Sequence, residues 1–357
     1  MRLLHPLPLN CEEFLDSQSL KAGAFRARLL DWYRHSKRDL PWRRTRDPYA
    51  IWISEIMLQQ TRVAAAIPYY ERFLARFPNF EALAEAPESD LLAHWAGLGY
   101  YYRARNMQKA AQTIAKAGKF PETYESIRSL PGVGDYTASA VASIAFGLPH
   151  AVVDGNVFRV LSRIENNNTD ILSTKGKRGF RVIANALLDH DAPGEYNQAL
   201  MELGATVCLP RNPQCLVCPV SELCQARIEG RQQELPAKSK NQRALEEHRK
   251  LYWIESGGML LVWQRPPDSR LMPGFWELPE DTQIGSLQGS EPIGAFRHTI
   301  TFHNYRFHIV RASPPAALGP CKWISFAELP SLPASTVFKK AWRVVSKSLR
   351  AAAASGA

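Results

Sequence analysis

The sequence predicts a mainly α-helical domain followed by a smaller α+β domain. Three observations carry this expectation. Apolar residues recur at spacings of three and four through residues 22–206, the stretch 229–248 is poor in apolar residues, and short strand-like runs follow it. A chain of 357 residues also suits two domains better than one.

The helical spacing is plain in Phe25-Leu29-Trp32, in Leu91-Leu92-Trp95, in Ile127-Leu130 and in Val157-Val160-Leu161-Ile164. Pro48, Pro121 and Pro131 punctuate the pattern at expected helix starts or turns. From Glu229 to His248 the run EGRQQELPAKSKNQRALEEH has no aromatic residue and reads as a linker. The runs LYWIES, MLLVWQR, Thr299 to Phe302 and YRFHIVRA then read as strands, and the tail AAAASGA as frayed.

Bulk composition narrows the function. Hydrophobic residues are 45% and charged residues 22% of the chain, as in globular domains. No apolar run reaches 18 residues, and the apolar core of MRLLHPLPLNCEEF is too short for a secretory signal. An intracellular, cytoplasmic protein without a membrane partner is expected. The net charge of +10 is shared: 27 basic against 23 acidic residues up to Ile228, and 17 against 11 beyond it. A polyanionic partner fits that excess.

Four of the six cysteines, Cys208, Cys215, Cys218 and Cys224, follow the spacing C-x6-C-x2-C-x5-C. Inside a cell such a cluster points to metal rather than disulfides. Four thiolates this close suit either Zn²⁺ or a [4Fe–4S] cluster. Pro210, Pro213 and Pro219 stiffen the loop, while Arg211 and Arg227 stand within phosphate reach of its edges.

Between two helical patterns lies Leu130-Pro131-Gly132-Val133-Gly134-Asp135-Tyr136. Gly132 and Gly134 permit a tight turn with positive φ, and the next helix opens with free N–H groups suited to phosphate. An ordinary αα-turn is the alternative. The segment from Pro48 to Tyr70 holds one acid, Glu55, behind an Asp47-Pro48 helix start and flanked one turn away by Ile51, Trp52, Leu58 and Gln59. A carboxylate on such a face is rare, and burial raises its pKa toward the range a general acid needs. The alternative is an acid turned sideways to water. Asp154 precedes another helix as an N-cap, a place from which a carboxylate can also face a developing cation.

Together SEIMLQQTRV, LPGVGDYTASA, VDGNVFRV and the four-cysteine loop resemble the helix-hairpin-helix DNA glycosylases, and most closely the MutY-type adenine DNA glycosylases. The resemblance implies a glycosylase domain over residues 20–228 with a [4Fe–4S] cluster, a linker over 229–248, and a Nudix-like lesion-recognition domain over 249–347. It implies double-stranded DNA carrying A:8-oxoguanine or A:G mispairs as partner, and a monomer. Glu55 resembles the acid that protonates N7 of the extruded adenine, and Asp154 the carboxylate that stabilises the cationic sugar; Tyr136 and Asn156 match their supports. A lysine stands at the Tyr136 position in endonuclease III enzymes, so Tyr136 implies a monofunctional glycosylase. Leu40, Trp42, Arg43 and Gln198 match the adenine pocket, with Leu58 beside it, and Gln60 and Tyr100 match residues that enter the base stack. For Leu40, Trp42 and Tyr100 core packing is the alternative.

In the second half, Gly274-Phe275-Trp276-Glu277-Leu278-Pro279 resembles the Nudix-like G-[LF]-W-E-[FL]-P motif, but EDTQIGSLQGSEPIG carries no R-E-x-x-E-E helix. Binding of the oxidised guanine is therefore expected there, not diphosphate hydrolysis. The family's Phe-Ser-His is replaced by Thr301-Phe302-His303, so Thr301 and His303 are the candidate lesion readers. Two other functions fit parts of the chain: a bifunctional endonuclease III-like glycosylase, against which Tyr136 speaks, and a non-catalytic DNA-binding iron–sulfur protein, against which Glu55 and Asp154 speak.

Overall fold

A computed structural model describes residues 19–239, 246–266, 268–269, 272–300 and 303–355. The chain divides into two compact units, Met1–Ser239 and Lys240–Ala357. No helix among the described residues is long and apolar enough to cross a membrane.

The first unit is helical: α1 (Ser19–Ser36), α2 (Pro48–Leu58), α3 (Val63–Arg76), α4 (Phe80–Glu85), α5 (Glu88–Trp95), α6 (Tyr102–Ala117), α7 (Tyr124–Arg128), α8 (Asp135–Phe146), α9 (Gly155–Ile164), α10 (Thr174–Leu187), α11 (Pro193–Thr206) and α12 (Gln225–Ile228). Sequence chemistry sets their ends. Asp47 accepts from the Tyr49 and Ala50 amides to cap α2, with Pro48 at its first position. Asp154 caps α9 through the Val157 amide, and Gly118 and Gly147 close α6 and α8 in the left-handed region.

Two apolar cores organise this unit. One, centred on Trp52, Phe73, Phe77 and Trp95, joins α2 to α8 and includes Leu130 and Val133 of the hairpin. The other joins α1 with α9, α10 and α11 around Phe25, Leu161, Tyr196 and Leu203, and takes in Cys224 and Leu235. The stretch 229–239 packs here rather than bridging domains: the Leu235 carbonyl accepts from the buried Arg163, and the Ala237 carbonyl from the Ile171 amide. The expected start of the linker at Glu229 thus falls too early. Its polar composition hid two backbone anchors and one buried leucine.

The hairpin between α7 and α8 turns on Gly132, at φ +76°, where a Cβ would also come within 2.7 Å of the Asn106 Cβ. Gly134 differs from expectation. Its φ of −95° and ψ of 174° are ordinary extended backbone, and no protein atom lies within 4 Å of a Cβ built on it. One glycine makes the turn; the other is not required by the chain's own conformation or packing.

In the second unit, β1 (Glu246–Trp253) pairs parallel with β6 (His303–Arg311), which pairs antiparallel with β5 (Glu291–Ile300). A second sheet places β3 (Met259–Gln264) among β2 (Glu255–Ser256), β4 (Trp276–Glu277) and β7 (Cys321–Ser325). After β4 comes only the four-residue α13 (Asp281–Ile284). Helix α14 (Thr336–Ser355) closes the core with Phe338, Ala341 and Val345 against Trp253, Val262 and Ile309. The tail expected to fray is helical through Ser355. Alanine has the highest helix propensity, and the packed first turns supply the nucleus it extends.

Candidate active site and cluster pocket

Glu55 sits on the central turn of α2, 5% exposed, amid Ile51, Trp52 and Ile56. The Tyr136 hydroxyl, from the first turn of α8, donates to its Oε2 at 2.7 Å and approaches the Met201 sulfur of α11 at 3.4 Å. Burial pushes the Glu55 carboxyl from its ordinary 4.5 up to about 7; the tyrosine hydrogen bond opposes this, the charge of Asp154 adds to it and Arg43 works against it. Burial, and then the two carboxylates, push the Tyr136 hydroxyl well above its ordinary value, so it stays a neutral donor.

Asp154 faces this pair from the other core. Its Oδ1 accepts from the Val157 amide at 2.7 Å and its Oδ2 from Asn156 Nδ2 at 3.0 Å. Burial raises its pKa, against the pull of these hydrogen bonds and of Arg159. Asn156 is held in turn: its Oδ1 accepts from Arg159 Nη2 at 2.9 Å, and the same nitrogen donates to the Gly204 carbonyl at 2.7 Å. Arg159 Nε donates to the Cys208 carbonyl at 2.7 Å. The structure therefore brings Glu55, Tyr136, Asp154 and Asn156 to the seam between the two cores of one unit.

The other expected residues spread around that seam. Leu40 and Trp42 are buried, with Trp42 edge-on to Tyr70, and Leu58 is partly buried against the same core. Arg43 Nη2 donates to Glu202 at 2.7 Å, and Gln198 Oε1 accepts from Tyr33 at 3.1 Å. Gln60 and Tyr100 are exposed and both stand at positive φ, 58° and 47°. Thr301 lies outside the described residues. His303, in the second unit, stands with Nδ1 2.7 Å from Glu247 and stacks on Tyr305.

Sequence reading missed Glu202. It is 1% exposed on α11 and accepts from Arg38 Nε and Nη2, one bidentate edge, at 2.7 Å each, and from Arg43 at 2.7 Å. Burial pushes its carboxyl up, but these hydrogen bonds win and hold it at about 2. No sequence signal singled it out, because the same helix also carries Glu195, Asn197 and Gln198.

The four cysteines line one pocket of about 380 Å³, part of it open to solvent, walled by Val160, Leu203, Val207 and Val220. Arg163, 1% exposed, donates from Nη1 to the Cys208 sulfur at 3.2 Å. Among the described residues no three His, Cys, Asp or Glu side chains meet closely enough for a single metal ion. Four sulfurs lining one pocket without three close enough for a single ion, with a guanidinium N–H on one of them, suit a polynuclear cluster better than one zinc ion.

Residues 53–183 match the HhH-GPD superfamily of base excision DNA repair proteins, and residues 208–224 the iron–sulfur binding domain of endonuclease III. The solved structure of a thermostable thymine-DNA glycosylase is 31% identical, with a TM-score of 0.55 over 60% of this chain and all of that one. Fold and site thus define a DNA N-glycosylase of base excision repair that binds DNA and carries a [4Fe–4S] cluster, its iron–sulfur domain matched over residues 208–224. The adenine DNA glycosylase of Mus musculus is 35% identical over 90% of this chain and 78% of its own length, and that of Homo sapiens is 35% identical over 90% and 74%. The chain belongs to the adenine DNA glycosylase family.

Gly204 gives the site a sharp test. A Cβ there would lie 2.6 Å from the Asn156 Cβ. Gly204→Ala should push Asn156, and with it Asp154, out of line. Expected in single-turnover assays is base excision slowed about 100-fold, the scale of an ångström misplacement, with about 1–3 kcal/mol of overpacking strain in melting. Excision at the wild-type rate would show that Asn156 does not govern the carboxylate's position.

Proposed function

We propose that this protein is a monofunctional adenine glycosylase acting as a monomer on duplex DNA with adenine opposite 8-oxoguanine or guanine. The observation that carries the reading is the buried Glu55 carboxyl, hydrogen-bonded by Tyr136 and pushed by burial up to about 7, within reach of proton donation near neutrality. It is a general acid with no amine beside it at the Tyr136 position. The thymine-DNA glycosylase likeness shows that the fold alone does not choose the base; family membership over most of the chain favours adenine.

In the proposed reaction the hairpin at Gly132 and Gly134 holds the phosphate backbone, and Gln60 and Tyr100 enter the stack as adenine is extruded. Leu40, Trp42, Arg43, Leu58 and Gln198 line its pocket. Glu55 protonates adenine N7, the N-glycosidic bond breaks with its electrons leaving on the base, and Asp154, steadied by Asn156, stabilises the cationic sugar. Water adds and leaves an abasic site. Residues 249–347 form the Nudix-like lesion reader, with Thr301 and His303 as its contacts to the oxidised guanine.

A single-turnover assay tests this with duplexes carrying adenine opposite 8-oxoguanine, adenine opposite guanine, and thymine glycol opposite adenine, each quenched with and without hot alkali. Adenine release with strand breakage only after alkali is expected. Breakage of the thymine glycol strand without alkali would make the protein a bifunctional enzyme instead.

A further inference from the structure

Arg103, on the first turn of α6, is 4% exposed yet forms no ion pair among the described residues. Both of its terminal nitrogens are spent on backbone, while its Nε is buried with no hydrogen-bond partner among the described residues. Nη1 donates to the carbonyls of Ile56 at 2.8 Å and Gln59 at 2.5 Å, and Nη2 to those of Leu98 at 3.2 Å and Gly99 at 3.4 Å. Its centre lies 5.4 Å from the ring centroids of both Trp95 and Tyr100. Burial lowers its pKa, so the buried charge is itself unfavourable and is retained through these contacts.

The carbonyls belong to two separate segments, the last turn of α2 with the loop that leaves it, and the loop entering α6. Each loop contains a non-glycine residue at positive φ, Gln60 at 58° and Tyr100 at 47°. Such conformations persist only where the surroundings over-determine them, and they concentrate at functional clamps. Trp95 Nε1 adds a fifth tie, to the Gly99 carbonyl at 2.9 Å. Two fixed terminal nitrogens with four N–H groups can hold two carbonyls on each side at once; an ammonium has three donors on one nitrogen and cannot make all four bonds.

We propose that Arg103 is a positioning residue for base extrusion: it clips the two loops together so that Gln60 and Tyr100 are presented to the duplex as one preformed wedge. This rests on the reading that those two residues enter the base stack. Arg103 touches no DNA in this scheme and should leave grip on undamaged duplex alone.

The test uses full-length, cluster-loaded protein with Arg103→Lys, Arg103→Met, and the double variant Gln60→Ala/Tyr100→Ala. Extrusion is read as the fluorescence rise of 2-aminopurine placed at the target base, beside affinity for undamaged duplex and cluster absorbance. Expected for both Arg103 variants is undamaged-duplex affinity within about twofold of wild type, most of the fluorescence rise lost, and excision slowed about 30-fold or more; Arg103→Lys added to the double variant should add little, as for residues acting as one unit. Normal extrusion by Arg103→Lys, with the double variant impaired, overturns the inference and leaves the wedge reading standing. Normal extrusion by the double variant removes the wedge reading and the inference with it. Loss of undamaged-duplex affinity in step with extrusion would mark Arg103 as merely structural.

Discussion

Glu55→Gln should abolish most excision while making the protein more stable in mild alkali. Glutamine keeps the shape and can still accept from Tyr136, but it has no proton to give. A general acid supplies between about 10² and about 10⁴ of rate, and a loss of that size is expected in single-turnover assays. The stability change follows from linkage. The Glu55 carboxyl is held near 7 against an ordinary 4.5, so the ionised form is penalised by about 3 kcal/mol. A raised pKa favours the fold fully below about pH 4.5, and that advantage is lost as the pH rises through about 7. At pH 8 the variant, free of the penalty, should melt higher than wild type; toward pH 5 the gap should close. Wild-type excision should fall above pH 7 for the same reason. An active Glu55→Gln protein, or melting curves that keep a constant gap across this range, would remove Glu55 from the role.

Asp154→Asn should cost about 10²–10³ in excision rate with no loss of melting temperature, which at neutral pH should hold or rise because burial disfavours the ionised carboxyl. The separation of the two readouts is the point. Asparagine caps a helix about as well as aspartate, so the hydrogen bond to the Val157 amide and the α9 start survive. What disappears is the negative charge facing the sugar. Asp154 must be ionised to act, and its carboxyl is also raised by burial, though Asn156 and the Val157 amide draw it back. Wild-type excision should therefore fall on the acid side too, giving a bell whose acid limb vanishes in Asp154→Asn. Full excision by this variant would remove Asp154 from the role, and unchanged DNA binding with no excision even in the wild type would favour a protein that only binds DNA.

Much of this arrangement could be read before any coordinates. A lone acid in an apolar helix behind Asp47-Pro48, a turn at Gly132 and four closely spaced cysteines each carry a local rule. The metal could not be decided from spacing, since zinc and a cluster accept the same ligands; the lack of three donors close enough for one ion among the described residues, and the family match, separate them. Arg103, Arg159 and Glu202 were out of reach for a different reason. Their partners are carbonyls or side chains far along the chain, 164 residues away for Arg38 and Glu202, and no periodicity encodes them. Positive φ at Gln60 and Tyr100 is likewise imposed by surroundings, not by residue type. Strand β5 escaped because Pro292 and Gly294 break its pattern at a register shift.

The two cores of the helical unit also divide its vulnerability. Glu55, Tyr136 and the hairpin belong to a core that closes without the cysteines, whereas the helix headed by Asp154 forms a wall of the cluster pocket. Loss of iron would strike one carboxylate and spare the other, along with the hairpin's grip. An oxidatively damaged copy would then keep its proton donor while losing the group that steadies the sugar.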